Sequence, residues 1–125
     1  MFEVRQQTTV CAAHRLRASA GEGGRLHGHN WRIVVAARSS ELDMRGMVVD
    51  FDDLGAKLRR LVEPYEHVLL NDLPPFDRVE PTAENIARVV ADALAAQVDD
   101  TRVAVHRVEV WETADCAAVY YRGRE

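Results

Sequence analysis

Residues 2–14 alternate in the way a half-buried strand requires. Phe2, Val4, Thr8, Val10, Ala12 and His14 share one parity, with Gln6 as the polar exception. Valine and threonine favour that state. The small, glycine-rich stretch from Ala18 to Gly24 (Ser19, Gly21, Gly23, Gly24) interrupts the alternation and predicts a loop. A second strand is expected from about His27 to Arg38, with His27, His29, Trp31, Ile33, Val35 and Ala37 on one parity. An antiparallel hairpin is the simplest pairing of the two, and it brings His14 beside His27 and His29.

The pattern then changes period. Ser39 to Gly46 is a polar turn region, and Met47-Val48-Val49 is read as a short strand end. Asp50 is the expected N-cap of a helix over residues 51–63, with Asp52 and Asp53 in its first turn matching the helix dipole. Phe51, Leu54, Leu58, Leu61 and Val62 form the apolar stripe, and Pro64 limits the helix. Residues 65–80, with Pro74 and Pro75, read as mostly irregular. A second helix opens at Pro81-Thr82-Ala83-Glu84-Asn85 with Thr82 as N-cap. Ile86, Val89, Val90, Ala93 and Leu94 are its stripe, and Asp99-Asp100 ends it.

Residues 102–112 alternate again, but Val103 and Val105 hold one parity and Val108 and Val110 the other. The slip at His106-Arg107 predicts a β-bulge. A last strand is expected over about Cys116 to Arg122. The order ββααββ predicts an α+β fold, a four-stranded antiparallel sheet with two helices on one face, in one domain spanning residues 1–125. Strand two carries apolar residues on both parities (Trp31, Ile33 and Val35 against Val34 and Ala36). One covered face does not explain that, so closure through oligomer contacts is expected.

Composition narrows the classes. With 47% hydrophobic and 29% charged residues the chain reads as globular, and a net charge of −4 argues against generic nucleic-acid binding. No apolar run approaches a membrane span, and the first residues are not a secretory leader, so a cytoplasmic protein without a membrane partner is expected. Two cysteines, Cys11 and Cys116, suggest no disulfide framework, and both are expected to be small packing residues.

The chemistry concentrates at Leu26-His27-Gly28-His29-Asn30. Two histidines one residue apart on a strand place both imidazoles on one face, and His14 closes the set from the neighbouring strand. Three neutral imidazoles with an open position make a catalytic type of zinc site rather than a closed structural one. Glu112 shares the buried-side parity of Val108 and Val110, which favours a functional carboxylate over an edge charge.

Ala12-Ala13-His14-Arg15-Leu16 followed by Leu26-His27-Gly28-His29-Asn30 resembles the 6-pyruvoyl-tetrahydropterin synthase and 6-carboxy-tetrahydropterin synthase family. The likeness extends through Gly46 to Leu54, His67 with Leu70-Asn71-Asp72, Pro81 to Asn85, Glu112-Thr113 and Tyr121-Arg122-Gly123. The resemblance implies a tunnelling fold whose subunits join sheets into barrels as trimers or hexamers. It also implies zinc on His14, His27 and His29, and a pterin at subunit interfaces. The implied substrate is 7,8-dihydroneopterin triphosphate or a relative. The implied reaction is loss of triphosphate (carbon–oxygen) or carbon–carbon cleavage, in a biopterin-like, queuosine-like or folate-like pathway. Glu112 is the implied pterin anchor, with Thr82 and Glu84 near that pocket.

In this family the base is a cysteine shortly before the His-x-His pair, activated by an Asp-His pair. Here Gly23 stands three residues before Leu26, no cysteine lies between Ala12 and His29, and the pair is Glu66-His67. The substitutes, in order, are Glu22, His67 and Cys116. Glu22 in that loop is similar to family variants that perform an aldolase-like cleavage. Against these stand a solvated Glu22 and a Glu66-His67 pair that meets the first helix end. A zinc- and pterin-binding homologue without synthase activity is the alternative reading.

Overall fold

The protein is described from a computed structural model covering residues 1–19 and 21–123, with only the main chain of Glu22 included. Strands β1 (Phe2–His14) and β2 (His27–Ser39) pair antiparallel along their whole length, from Phe2 opposite Ser39 to His14 opposite His27. Strand β3 (Ala104–Trp111) pairs with β2, and β4 (Ala117–Tyr121) pairs with β3, in the order β1-β2-β3-β4. Helices α1 (Phe51–Val62) and α2 (Ala83–Val98) pack into one core with Val10, Ala12, Trp31, Ile33 and Val35 of the sheet. This is the expected tunnelling fold.

Both helices begin where their capping residues dictate. The Asp50 carboxylate accepts the N–H groups of Asp52 and Asp53, and the Thr82 hydroxyl accepts that of Asn85. Helix α1 ends at Val62, one residue short of the expected boundary, and a 3₁₀ turn takes over at Glu63–Tyr65. In β2–β3, Ala36 faces Arg107 while Ala37 faces Val105, so His106 is the bulged residue. Strand β4 starts one residue later than read and ends one earlier.

Three expectations need correction. Met47-Val48-Val49 forms no strand. The Asp43 carboxylate accepts the Met47 N–H at 3.0 Å, and the Arg102 guanidinium donates to the carbonyls of Met47 and Val48 at 3.3 and 2.8 Å, so a loop uses the groups a ladder needs. Strand β3 starts at Ala104, not 102. The Asp100 carboxylate takes the N–H groups of Arg102 and Val103 into a turn, each at 2.7 Å. Cys11 and Cys116 are both exposed rather than packed. The irregular segment also contains a 3₁₀ turn at Leu70–Asp72 and an isolated parallel bridge between Ala13 and Leu69.

The sheet face away from the helices carries a charge network. Arg107 donates to Glu3 at 3.0 Å and to Glu109 at 3.1 Å, and Arg38 reaches Glu3 at 2.8 Å. The Arg32 guanidinium lies 4.5 Å over the Trp111 ring, whose N–H donates to Glu109. The long side chains cover much of this face: Val34 and Ala36 are buried within a single chain.

Burial opposes the Glu3 charge, but hydrogen bonds from Arg38, Arg5 and Arg107 outweigh it. They hold the carboxyl at about 2, against 4.5 for a free glutamate. A group held down in this way stabilises the fold fully above pH 4.5 and loses that contribution as pH falls towards 2. Screening of the partly exposed arginines limits the gain to on the order of 2 kcal/mol. Glu3→Gln should therefore lower the urea midpoint at pH 7, with the deficit largely gone at about pH 2.5. A deficit that stays constant across that range would remove Glu3 as the cause.

Candidate metal centre and ligand cleft

His14 ends β1 with its ring on the helix side of the sheet and only 1% exposed. Its Nδ1 lies 2.7 Å from the Pro81 carbonyl, and Nδ1 of His27 lies 2.6 Å from the Arg25 carbonyl. A carbonyl only accepts, so both Nδ1 atoms carry the proton and, in the neutral rings, both Nε2 atoms are bare. These two Nε2 atoms face each other at 3.0 Å. Burial pushes His14 and His29 below the usual histidine range, which favours the neutral rings that bind metal.

His29 supplies the third nitrogen. Its Nε2 is buried without a hydrogen-bond partner, although Glu112 Oε1 lies 3.2 Å away. The ligand atoms of His14, His27, His29 and Glu112 all lie within 4.8 Å of one another. Zinc with bonds near 2.0–2.1 Å sets tetrahedral ligand atoms about 3.3 Å apart. The separations of 3.0 and 3.2 Å are close to that edge, and an orphaned buried nitrogen and two facing lone pairs are each relieved by one cation. The donor set fits a divalent ion of the zinc type.

Trp31 supports the group from below. Its ring stands edge-on to those of His14 and His29, with centroids 4.8 and 5.1 Å away, and its N–H donates to the Ala12 carbonyl at 3.1 Å. Helix α2 contributes through its start: Thr82 caps the helix, and the adjacent Pro81 carbonyl orients His14. A cleft of about 190 Å³ adjoins the centre, lined by Ala83, Glu84, Glu112, Cys116, Ala117 and Ala118. Glu84 and Glu112 thus share one cleft; Thr82 acts as a cap beside it.

The loop after β1 is latched to the start of α2. The Glu80 carboxylate accepts the N–H groups of Ala18 and Arg17 at 2.9 and 3.0 Å, and these bonds hold its carboxyl below the usual range. The Arg17 guanidinium also donates to Glu80 and to the Phe76 carbonyl. Glu22 falls in the 3₁₀ turn Gly21–Gly24, and its side chain lies outside the described residues. A Cβ at Gly24 would sit 2.3 Å from the Ser19 carbonyl oxygen, so the turn requires glycine there. At Gly23 a Cβ would press on Ser19 at 3.3 Å.

Glu66 and His67 sit elsewhere, on the outer edge of β1. Glu66 Oε1 accepts the Cys11 N–H at 2.9 Å and lies 3.5 Å from His67 Nε2, while the His67 N–H donates to the Cys11 carbonyl at 2.7 Å. His67 holds a left-handed backbone (φ 57) and presents a ring 77% exposed. Within one chain it is not part of the four-residue group. The sequence showed the three histidines, but not the Pro81 and Arg25 carbonyls or the Glu80 latch. Main-chain acceptors have no residue-type signature.

An antiparallel sheet backed by two helices, with three histidines and a glutamate converging beside a cleft, defines a class: a metal-type centre at one end of a half-covered sheet. Residues 3–123 match the family model for 6-pyruvoyl tetrahydropterin synthase. The chain belongs to that family. It is 33% identical over 127 residues to the 6-carboxy-5,6,7,8-tetrahydropterin synthase of Bacillus subtilis, covering 95% of this chain and 84% of the relative. It is 35% identical over 130 residues to the enzyme of that name from Synechocystis, covering 99% and 96%. The solved 6-pyruvoyl tetrahydropterin synthase of Caenorhabditis elegans superposes with a TM-score of 0.86 at 23% identity, covering 98% of this chain and 96% of that one. Tetrahydropterin synthases are lyases, and no helix among the described residues is long and apolar enough to cross a membrane.

Proposed function

We propose that this chain is a zinc-dependent lyase acting on 7,8-dihydroneopterin triphosphate or a close relative, with the 6-carboxy product favoured. The convergence of His14, His27, His29 and Glu112 beside the cleft of Glu84 and Cys116 is the observation that carries this reading. The names borne by the Bacillus subtilis and Synechocystis relatives support the 6-carboxy branch. Zinc, when held by the three histidines, supplies Lewis-acid polarisation of the substrate's side-chain hydroxyls.

The chain's own residues do the rest. Glu112 presents a carboxylate able to accept two N–H bonds from the guanidine-like edge of a pterin, and Glu84 adds charge to the same cleft. Glu22, on the latched loop, is the proposed base that removes a proton from the carbon next to the ring. A solved Plasmodium vivax synthase in which a catalytic glutamate is replaced by alanine supports a carboxylate in such a role. Glu66 and His67 are proposed as a proton-handling pair. Their position in a turn bonded to the edge strand β1, with the His67 ring turned outward, fits a site completed between subunits of a trimer or hexamer. We place the protein in the cytoplasm as one domain over residues 1–125, without nucleic-acid or membrane partners.

Product analysis with 7,8-dihydroneopterin triphosphate tests the assignment. Wild type should release a tetrahydropterin product, and Glu22→Ala should turn over roughly 100-fold more slowly or worse. The cysteine-free loop favours one competing reading, a zinc- and pterin-binding homologue without synthase activity. Zinc-loaded wild type that binds the pterin and leaves it unchanged would establish that reading instead.

A further inference from the structure

The centre contains one group asked to do two things. Glu112 is the pterin anchor in the proposed function, yet its Oε1 stands 3.2 Å from His29 Nε2 and completes the four-atom group. We propose that Glu112 is a fourth metal ligand in the substrate-free protein and that pterin binding draws it off, so that metal coordination changes when substrate arrives. The first half rests on the histidine cluster holding a metal; the second also rests on the pterin reading.

Geometry and charge support the first half. The 3.2 Å separation is close to the edge of about 3.3 Å expected between two ligands of one tetrahedral zinc. The two atoms are within reach, yet the buried His29 Nε2 has no hydrogen-bond partner. Three neutral imidazoles leave the full +2 of a divalent ion in a site where His14 is buried; a carboxylate halves it.

The second half comes from unequal anchoring. His14 and His27 are tied through Nδ1 to main-chain carbonyls. Glu112 lies just beyond the end of β3, its side chain is 34% exposed against 16% for His29, and it lines the cleft. It is the member of the set free to turn towards a ligand. A carboxylate that gives one oxygen to the metal is a poorer acceptor for the two N–H bonds of a pterin edge. Metal and pterin therefore compete for Glu112 unless the pterin's own hydroxyls refill the vacated position. Linkage makes the effect reciprocal: whatever weakens one weakens the other by the same factor.

Two measurements on the full chain test this. In chelator competition with zinc alone, Glu112→Gln should bind roughly 10- to 100-fold more weakly than wild type. The visible spectrum of its Co²⁺ form should shift, and Glu112→His should restore affinity by supplying a nitrogen. Restoration by Glu112→His, with thermal melts of both variants, separates ligand loss from misfolding. Next, a pterin with only a methyl group at C6 should speed zinc loss from wild type, whereas 7,8-dihydroneopterin, with its side-chain hydroxyls, should not. Unchanged affinity and spectrum in Glu112→Gln overturn the fourth ligand while leaving the histidine site standing. Wild type that takes up no metal overturns both. Methyl pterin that binds without speeding zinc loss overturns the exchange alone.

Discussion

Zinc affinity is expected to fall roughly 100- to 1000-fold in His27→Ala, with little change in the stability of the metal-free protein. Zinc sites with four ligands contribute apparent binding energies of about 10–16 kcal/mol, or about 2.5–4 kcal/mol per ligand, which sets that range. His27 is the informative choice because its ring is only partly buried and is anchored by a carbonyl two residues away, so its loss disturbs little else. His14→Ala should lose affinity to a similar degree and destabilise the fold as well. Its ring is 1% exposed, packs edge-on against Trp31, and leaves the Pro81 carbonyl without its donor. Chelator competition paired with urea unfolding of the metal-free forms resolves the two variants. Equal zinc affinity in wild type and His27→Ala would remove the histidine set as the metal centre.

The largest expected loss of stability is in Phe76→Ala, at about 3–5 kcal/mol. Phe76 lies in the segment between the helices, yet it is fully buried and packs edge-on against Tyr65 with ring centroids 5.8 Å apart. Its neighbours around a small apolar void include Val10, Trp31, Leu70 and Ile86, which join β1, β2, the 3₁₀ turn and α2. Removing the ring would leave a cavity at the junction of four elements, which cannot collapse without moving the sheet. Trp31 is one of those neighbours and also supports His14 and His29, so zinc affinity should weaken with stability. Urea unfolding at pH 7 measures the first effect, and a loss below about 1 kcal/mol would show that this segment is not anchored in the core.

Phe76 shows where periodicity stops being informative. The strands and helices were legible because a buried face repeats every two or every 3.6 residues. The segment 65–80 buries Leu70 and Phe76 without any repeat, through 3₁₀ turns and a single bridge to Ala13. Met47 to Val49 failed for the opposite reason. Three apolar residues suggested a strand, but Asp43 and Arg102, the latter far away in sequence, claimed their main-chain groups. The Cys11 reading failed because parity names a face without saying how well it is covered.

Residue order alone predicted the antiparallel pairing of β1 and β2 and the shared face on which His14, His27 and His29 meet; the structure supplied the register. A period of two along β1 and β2, turned back through one loop, leaves those rings no other face. The caps at Asp50 and Thr82 and the bulge at His106 are equally local. Only the folded chain decides that Pro81 and Arg25 present carbonyls to Nδ1, that Glu112 arrives 3.2 Å from His29, and that Glu66 and His67 stay outside the group. Apart from Arg25, two residues from His27, those contacts join segments whose separation is set by packing rather than by spacing. The two Nδ1 contacts also involve main-chain atoms, which every residue carries and no sequence pattern marks.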